Sequence, residues 1–266
     1  MLVSYHNHTR WSDGSPTIAE MVEGALAHGL DELGISDHFV LFPDRREVDW
    51  SMPLDLLGEY VAELQDTASR LDGMQLRLGV EADYLPGTAE QLKRELEKHP
   101  FDFIICSVHY VDEFPVDADR KYWDPLLQER INEIWREYWL RVRDMALERI
   151  GDIVAHLDLP KKYGFRPTQD LSEEEDQALD AIRAADLAIE INTAGWSLSA
   201  EEAYPSLRLL RKARERDIPL VISADAHSPV HLTRHFGRAR ELAREAGYDR
   251  LLRFHQRERF EIPLWF

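Results

Sequence analysis

The chain is poor in the groups that define several large enzyme classes. Its one cysteine, Cys106, cannot close an intramolecular disulfide or build a thiolate metal cage, which fits a reducing, cytoplasmic setting. Asp112, not arginine, stands six positions after Cys106, so the loop of cysteine-nucleophile phosphatases is missing. Asp117-Ala118-Asp119 is followed two places on by Lys121 instead of the Thr or Val of an aspartyl-phosphate motif. Gly-x-Ser-x-Gly, the Walker A loop and His-Glu-x-x-His are also missing. No stretch approaches the roughly 18 apolar residues of a membrane span, and Met1-Leu2-Val3-Ser4 does not open a basic region followed by an apolar run, so membrane insertion and secretion are not expected. Basic residues are outnumbered 32 to 50, for a formal charge of -18, which disfavours a nucleic-acid partner. There is no internal repeat, low-complexity tract or linker, so the 266 residues read as a single domain, 1–266.

What is present is a regular alternation. An opening strand from Leu2 through His8 leads, after a turn, to a helix over 18–28, where Ile18, Met21, Val22, Ala25 and Leu26 sit at helical spacing. Strands over 33–38, 75–83, 101–109, 152–156, 187–192 and 219–225 are separated by helices over 54–71, 88–98, 125–149, from 172, and over 199–216. A last helix over 231–246 precedes a short tail. The segment 39–53, with two prolines and Trp50, reads as a long surface loop able to form part of a lid. Seven strands alternating with helices predict a parallel sheet with helices outside, either open and doubly wound or closed into a barrel.

The polar residues decide between these. His6 and His8, two apart, project from one face of the opening strand, and the turn Thr9 to Gly14 returns Asp13 toward them. His38, Glu81, His109, His156, Asp225 and His227 likewise fall at or just past strand ends. A barrel gathers those ends on one rim, whereas an open sheet spreads them along an edge. Any one of these histidines, alone, is more often satisfied by a carbonyl or water than bound to an ion. As a set, 6 of 11 histidines in one topological position favour a barrel of about seven strands with a metal centre. Imidazoles and carboxylates without thiolates suit zinc, manganese or iron better than calcium or magnesium. Two or three ions would employ most of the ligands, with Glu81 able to bridge a pair, and such centres hydrolyse phosphate esters.

The segments His6-Asn7-His8-Thr9, Ser12-Asp13-Gly14, Ser36-Asp37-His38, Gly79 to Asp83, Ser107-Val108-His109, His156-Leu157-Asp158 and Asp225-Ala226-His227 together resemble the PHP (polymerase and histidinol phosphatase) superfamily. Gly79 to Tyr84, His156 to Gly164, Glu190 to Gly195 and Ser223 to Pro229 look most like the histidinol-phosphate phosphatases within it. The resemblance implies a distorted seven-stranded (β/α)7 barrel and three divalent ions. By matching position, one ion would take His6, His8, Glu81 and Asp225. A second would share Glu81 and take His109 and His156, and a third would take Asp13, His38 and His227. The reaction so implied is hydrolysis of a small phosphomonoester, L-histidinol phosphate, by a hydroxide bridging two ions, with Asp225, Glu81 and His227 as the catalytic set. Lys161, Lys162 and Arg166, following the strand that ends at His156, are the expected phosphate-binding cations. The rival reading is a phosphoesterase of the same superfamily acting on nucleotides or nucleic-acid ends; a silent metal-stabilised module is a further one.

Overall fold

The computed structural model describes residues 1–264; Trp265 and Phe266, at the end of the expected domain, lie outside the described residues. In chain order the elements are β1 (Val3–Ser4), α1 (Ile18–Ala27), β2 (Glu32–Ile35), β3 (His38–Val40), α2 (Leu57–Arg70), β4 (Gln75–Asp83), α3 (Ala89–Leu96), β5 (Phe103–Ser107), β6 (Tyr110–Val111), β7 (Phe114–Pro115), α4 (Gln128–Glu148), β8 (Ile153–Val154), α5 (Ser172–Ala184), β9 (Ala188–Asn192), α6 (Leu207–Glu215), β10 (Leu220–Ser223), α7 (Phe236–Glu245), β11 (Arg250–His255) and β12 (Glu258–Pro263). Seven strands pair in parallel in the order β1-β2-β4-β5-β8-β9-β10, with the short β3 added beside β4. All residues of β2, β5, β9 and β10 are buried, as helices covering a parallel sheet require.

The seam that nearly closes the barrel is made by the opening segment. Its first half pairs with β2, Val3 opposite Glu32 and Ser4 opposite Leu33. Its continuation bridges to the last barrel strand: the His8 N–H donates to the Ala226 carbonyl at 2.9 Å, and the Ala226 N–H donates to the His6 carbonyl at 3.2 Å. The metal-ligand candidates of the first and last strands therefore flank the closure itself.

The barrel interior is filled from its floor. The Phe103 ring occupies the space over Gly79, where a Cβ would approach it to 2.1 Å, so β4 needs glycine at that position. Tyr5 packs on Phe103 at 4.8 Å and its hydroxyl donates to Glu32. Each helix covers its stretch of sheet with one apolar face. On α1 this face is Ile18, Met21, Val22 and Ala25, and the helix starts at a capping box between Thr17 and Glu20.

Three expectations are corrected. The helix expected over 199–216 begins only at Leu207, because Pro205 keeps the residue before it out of helical conformation. The last helix starts at Phe236, after His235 in the left-handed region (φ 59°). The expected tail is the antiparallel hairpin β11–β12, which caps the barrel floor: Arg253 reaches Glu32 at 3.3 Å, Arg257 reaches Asp152, and the Phe254 N–H donates to the Tyr5 hydroxyl at 3.0 Å. Among the described residues no helix is long and apolar enough to cross a membrane.

Candidate metal centre

Most of the ligand candidates stand at or near the C-terminal end of a barrel strand, while His38 opens the short β3 and β9 carries none of them, and the local sequence explains the delivery. The turn after His8 is held by Asp37, which accepts from the Thr9 N–H and hydroxyl at 2.7 Å and from the Ser12 hydroxyl at 2.6 Å. Gly14 closes this turn against the chain: a Cβ there would lie 2.4 Å from the His8 carbonyl oxygen. β3 pairs His38 directly opposite Glu81, putting the His38 Nδ1 2.9 Å from the Glu81 Oε2. Asp225 leaves β10 in the left-handed region (φ 52°), a conformation that costs a non-glycine residue on the order of 1 kcal/mol and turns its carboxylate inward.

The structure brings all nine ligand candidates together. Glu81 is fully buried at the centre, with its Oε2 3.0 Å from the His6 Nε2 and 3.5 Å from the His8 Nε2, and its Oε1 3.1 Å from the His156 Nε2 and 3.7 Å from the His109 Nε2. Asp225 Oδ1 faces the His8 Nε2 at 3.4 Å and the His227 Nδ1 at 3.6 Å. Asp13 lies 3.1 Å from the His227 Nε2 and 3.7 Å from the His38 Nε2. The donor atoms of His8, Asp13, His38 and His227 all lie within 4.8 Å of one another, as do those of His6, His8 and Glu81, of His6, His156 and Asp225, and of His38, Glu81 and His109. The set implied for a third ion thus recurs with His8 added. His109 and His156 fall in different groups, although their Nε2 atoms are 3.3 Å apart.

These residues fit divalent metal ions. His8 is fully buried, yet neither ring nitrogen has a hydrogen-bond partner, whereas buried polar atoms ordinarily do. Burial, with His227 and His38 alongside, pushes His8 down to about 3, so the ring stays neutral with a lone pair to donate. Burial would raise the Glu81 carboxyl, but His6 and His38 beside it hold it well below the usual range. Burial likewise opposes protonation of His109 and His227, and neighbouring carboxylates win: Asp83 and Asp117 lift His109 to about 10, and Asp13 and Asp225 lift His227 to about 9. Protons on these rings offset the clustered carboxylates, a role that a bound cation takes over.

Three of the ligand candidates, Asp13, His38 and His109, open onto a cleft of about 280 Å³ that is lined also by Trp50, Tyr110, Pro115, Asp117, Ala118 and Lys162. Of the three cations expected to meet phosphate, Lys162 lines this cleft. Lys161 does not: it is fully buried, donating to Asp158 and Glu202 at 2.9 Å and to the Ala203 carbonyl at 2.7 Å. Arg166 pairs with Glu202 at 3.3 Å and lines a separate shallow groove with Trp196 and Arg238. Loop 39–53 contributes Trp50, whose ring meets His38 edge-on at 5.2 Å, and Arg46 of the same loop pairs with Glu113 of the β6–β7 hairpin at 3.0 Å.

Sequence reasoning missed the residues that hold the ligands in place. Glu190 is fully buried in β9 and accepts from the His6 Nδ1–H at 3.0 Å, the His156 backbone N–H at 2.8 Å and the Asn192 amide at 3.0 Å. Asn192 also donates to Asp225 Oδ2 at 3.0 Å, and Asp83 stands 3.4 Å from the His109 Nδ1. Such carboxylate-imidazole pairs fix the tautomer that leaves the other nitrogen free for a metal. The signal for Glu190 was a lone charge inside an apolar strand.

The sequence profile of the PHP domain family matches residues 4–194. A Deinococcus radiodurans protein named "Probable histidinol-phosphatase" is 34% identical over 97% of this chain and 98% of its own length. The histidinol-phosphatase of Lactococcus lactis is 26% identical over 95% and 94% of the two chains. The crystal structure of a Lactococcus lactis histidinol phosphate phosphatase, complexed with zinc, L-histidinol and phosphate, superposes with a TM-score of 0.80 at 24% identity, over 97% of this chain and 98% of the other, and so shares the fold. With a profile spanning most of its length and a full-length relative above 30% identity, the chain belongs to the PHP domain family.

Proposed function

We propose that this protein is a metal-dependent phosphomonoesterase that hydrolyses L-histidinol phosphate to L-histidinol and phosphate, residues 1–266 acting as one phosphatase domain in the cytoplasm. The observation that carries this reading is the convergence of nine imidazole and carboxylate donors in one cluster, of which Asp13, His38 and His109 line a small cleft that also holds Lys162. The substrate is taken from the histidinol-phosphatases to which the chain is similar over nearly its full length. Three divalent ions, zinc, manganese or iron, would be held by His6, His8, Glu81 and Asp225, by Glu81, His109 and His156, and by Asp13, His38 and His227. When bound, such ions supply a nucleophile at neutral pH and neutralise charge on the transferred phosphoryl group.

The chain's own side chains do the rest. Asp225 has one oxygen tied by the Asn192 amide, which leaves Oδ1, facing the cluster, to take a proton from the attacking water. The Lys162 ammonium meets the phosphate as it enters the cleft. Glu81 and His227 complete the catalytic set, Glu81 at the buried centre and His227 at its more exposed edge. Trp50 and Tyr110, their rings stacked 6.3 Å apart, wall the cleft against bulk water. One water is consumed: its oxygen bonds to phosphorus, the bond from phosphorus to the alkyl oxygen breaks, and a proton ends on the leaving oxygen.

Phosphate release by the metal-loaded protein tests this reading. L-Histidinol phosphate should be turned over in strong preference to nucleoside monophosphates and single-stranded DNA, and equal or greater rates on the nucleotides would overturn it.

A further inference from the structure

Besides the ligand candidates Asp13, His38 and His109, the cleft is lined by one carboxylate, Asp117, and one ammonium, Lys162. Asp117 Oδ2 and Lys162 Nζ are 3.1 Å apart, and each side chain is 24% exposed. The pair is built into the site. The Tyr163 hydroxyl donates to the Asp117 carbonyl at 2.7 Å, the Trp123 indole N–H donates to the neighbouring Val116 carbonyl at 3.0 Å, and the Val116 N–H donates to the His109 carbonyl at 2.9 Å. The segment bearing Asp117 is thereby fastened both to the turn that carries Lys162 and to a ligand candidate. Lys162 and the imidazoles of His109 and His156 keep the Asp117 carboxyl below its usual range in spite of burial.

A phosphate dianion entering alone would draw Lys162 away from Asp117 and leave that carboxylate in a narrow cleft, facing a second anion with its cation gone. Loss of one partner from a poorly solvated pair is strongly unfavourable. A substrate bearing a phosphate and a protonated amine a few bonds apart avoids this loss, since Lys162 passes to the phosphate and Asp117 to the ammonium.

We propose that Asp117 is the amine-recognising residue, and that the Asp117–Lys162 pair is a charge template exchanged for substrate, which selects aminoalkyl phosphates over phosphomonoesters without an amine. The template rests on the phosphomonoesterase reading above and adds to it the feature of the substrate that is sensed. Tyr110 and Trp50, beside the pair, offer a flat wall for a planar group on the same molecule.

The test compares L-histidinol phosphate with its desamino analogue, imidazolylpropyl phosphate, on the metal-loaded wild type, Asp117→Asn and Lys162→Met. The wild type should favour the amine-bearing compound by about 10- to 100-fold in kcat/KM, the scale of leaving one partly buried polar group without its partner. Asp117→Asn should bring the ratio to within about 3-fold of one, whereas Lys162→Met should lower both values together. A wild-type ratio near one, or a ratio unchanged in Asp117→Asn, overturns the template. The wild-type comparison needs no variant to fold. Titration calorimetry with the two corresponding phosphonates, which cannot turn over, gives the same ratio as affinities. An amine preference in those titrations without phosphate release from any ester would reject the phosphatase reading alone and leave the template standing.

Discussion

Glu190→Gln should weaken metal binding without touching a ligand. The Glu190 carboxylate accepts three hydrogen bonds, from the His6 ring, the His156 backbone and the Asn192 amide. Glutamine keeps the shape but offers one acceptor oxygen and one donor nitrogen. If the oxygen stays with His156 and Asn192, the amide N–H meets the His6 Nδ1 and favours the tautomer protonated at Nε2, the atom that faces Glu81 at 3.0 Å. That proton then occupies the position an ion needs. Loss of such an orienting partner costs about 10- to 100-fold in metal affinity, or about 1.4 to 2.8 kcal/mol. The assay is competition for zinc or manganese against a chromophoric chelator, followed by phosphatase activity as metal is restored. The variant should need about 10- to 100-fold more free metal for half-maximal activity and should recover most of its rate once saturated. A folded Glu190→Gln protein with wild-type affinity would refute the orienting role, and one that binds normally but stays inactive would place Glu190 in the chemistry itself.

Further outcomes follow from the same geometry. Lys161→Met, which strips Asp158 and Glu202 of their shared buried cation, should destabilise the fold by about 3 kcal/mol, read as a fall in melting temperature of about 6–12 °C. Lys162→Met should raise KM and, because it leaves the Asp117 carboxylate without its cation, should also lower the melting temperature, though by less than Lys161→Met since this pair is partly exposed. His8→Ala and His227→Ala should each lower bound metal by elemental analysis and reduce phosphate release, and wild-type metal content in both would reject the cluster as a metal centre. Cys106 is 1% exposed and burial pushes its thiol up, so a thiol reagent should label the native chain far more slowly than the denatured one.

Legibility in the sequence tracked how local the cause was. The rim ligands could be read because they lie at or near strand ends in the sequence pattern, and one barrel rim collects all such positions. Lys161 and Lys162 could not be told apart: two adjacent residues of one type are sent by the short helical turn over 159–163 to the Asp158 and Glu202 carboxylates and to the cleft respectively. Arg253, Arg257 and His255 looked like a solvated tail because their partners Glu32, Asp152 and Asp102 lie between 105 and 221 residues away in the chain. Glu190 left a local trace, a charge in an apolar strand, while its partner His6 is 184 residues distant. Asp117 left none, since an Asp in an irregular segment is ordinary until the cleft forms around it.

The seam between Asn7 and Ala226 also orders events during synthesis. At about 5–20 residues per second, the opening strand waits about 10–45 s for the partner that closes the barrel beside it. His6 and His8 are made more than 200 residues before Asp225 and His227. A nascent chain therefore cannot bring His6 and His8 together with Asp225 early, and a metal held by the proposed set of His6, His8, Glu81 and Asp225 would report that the seam has closed.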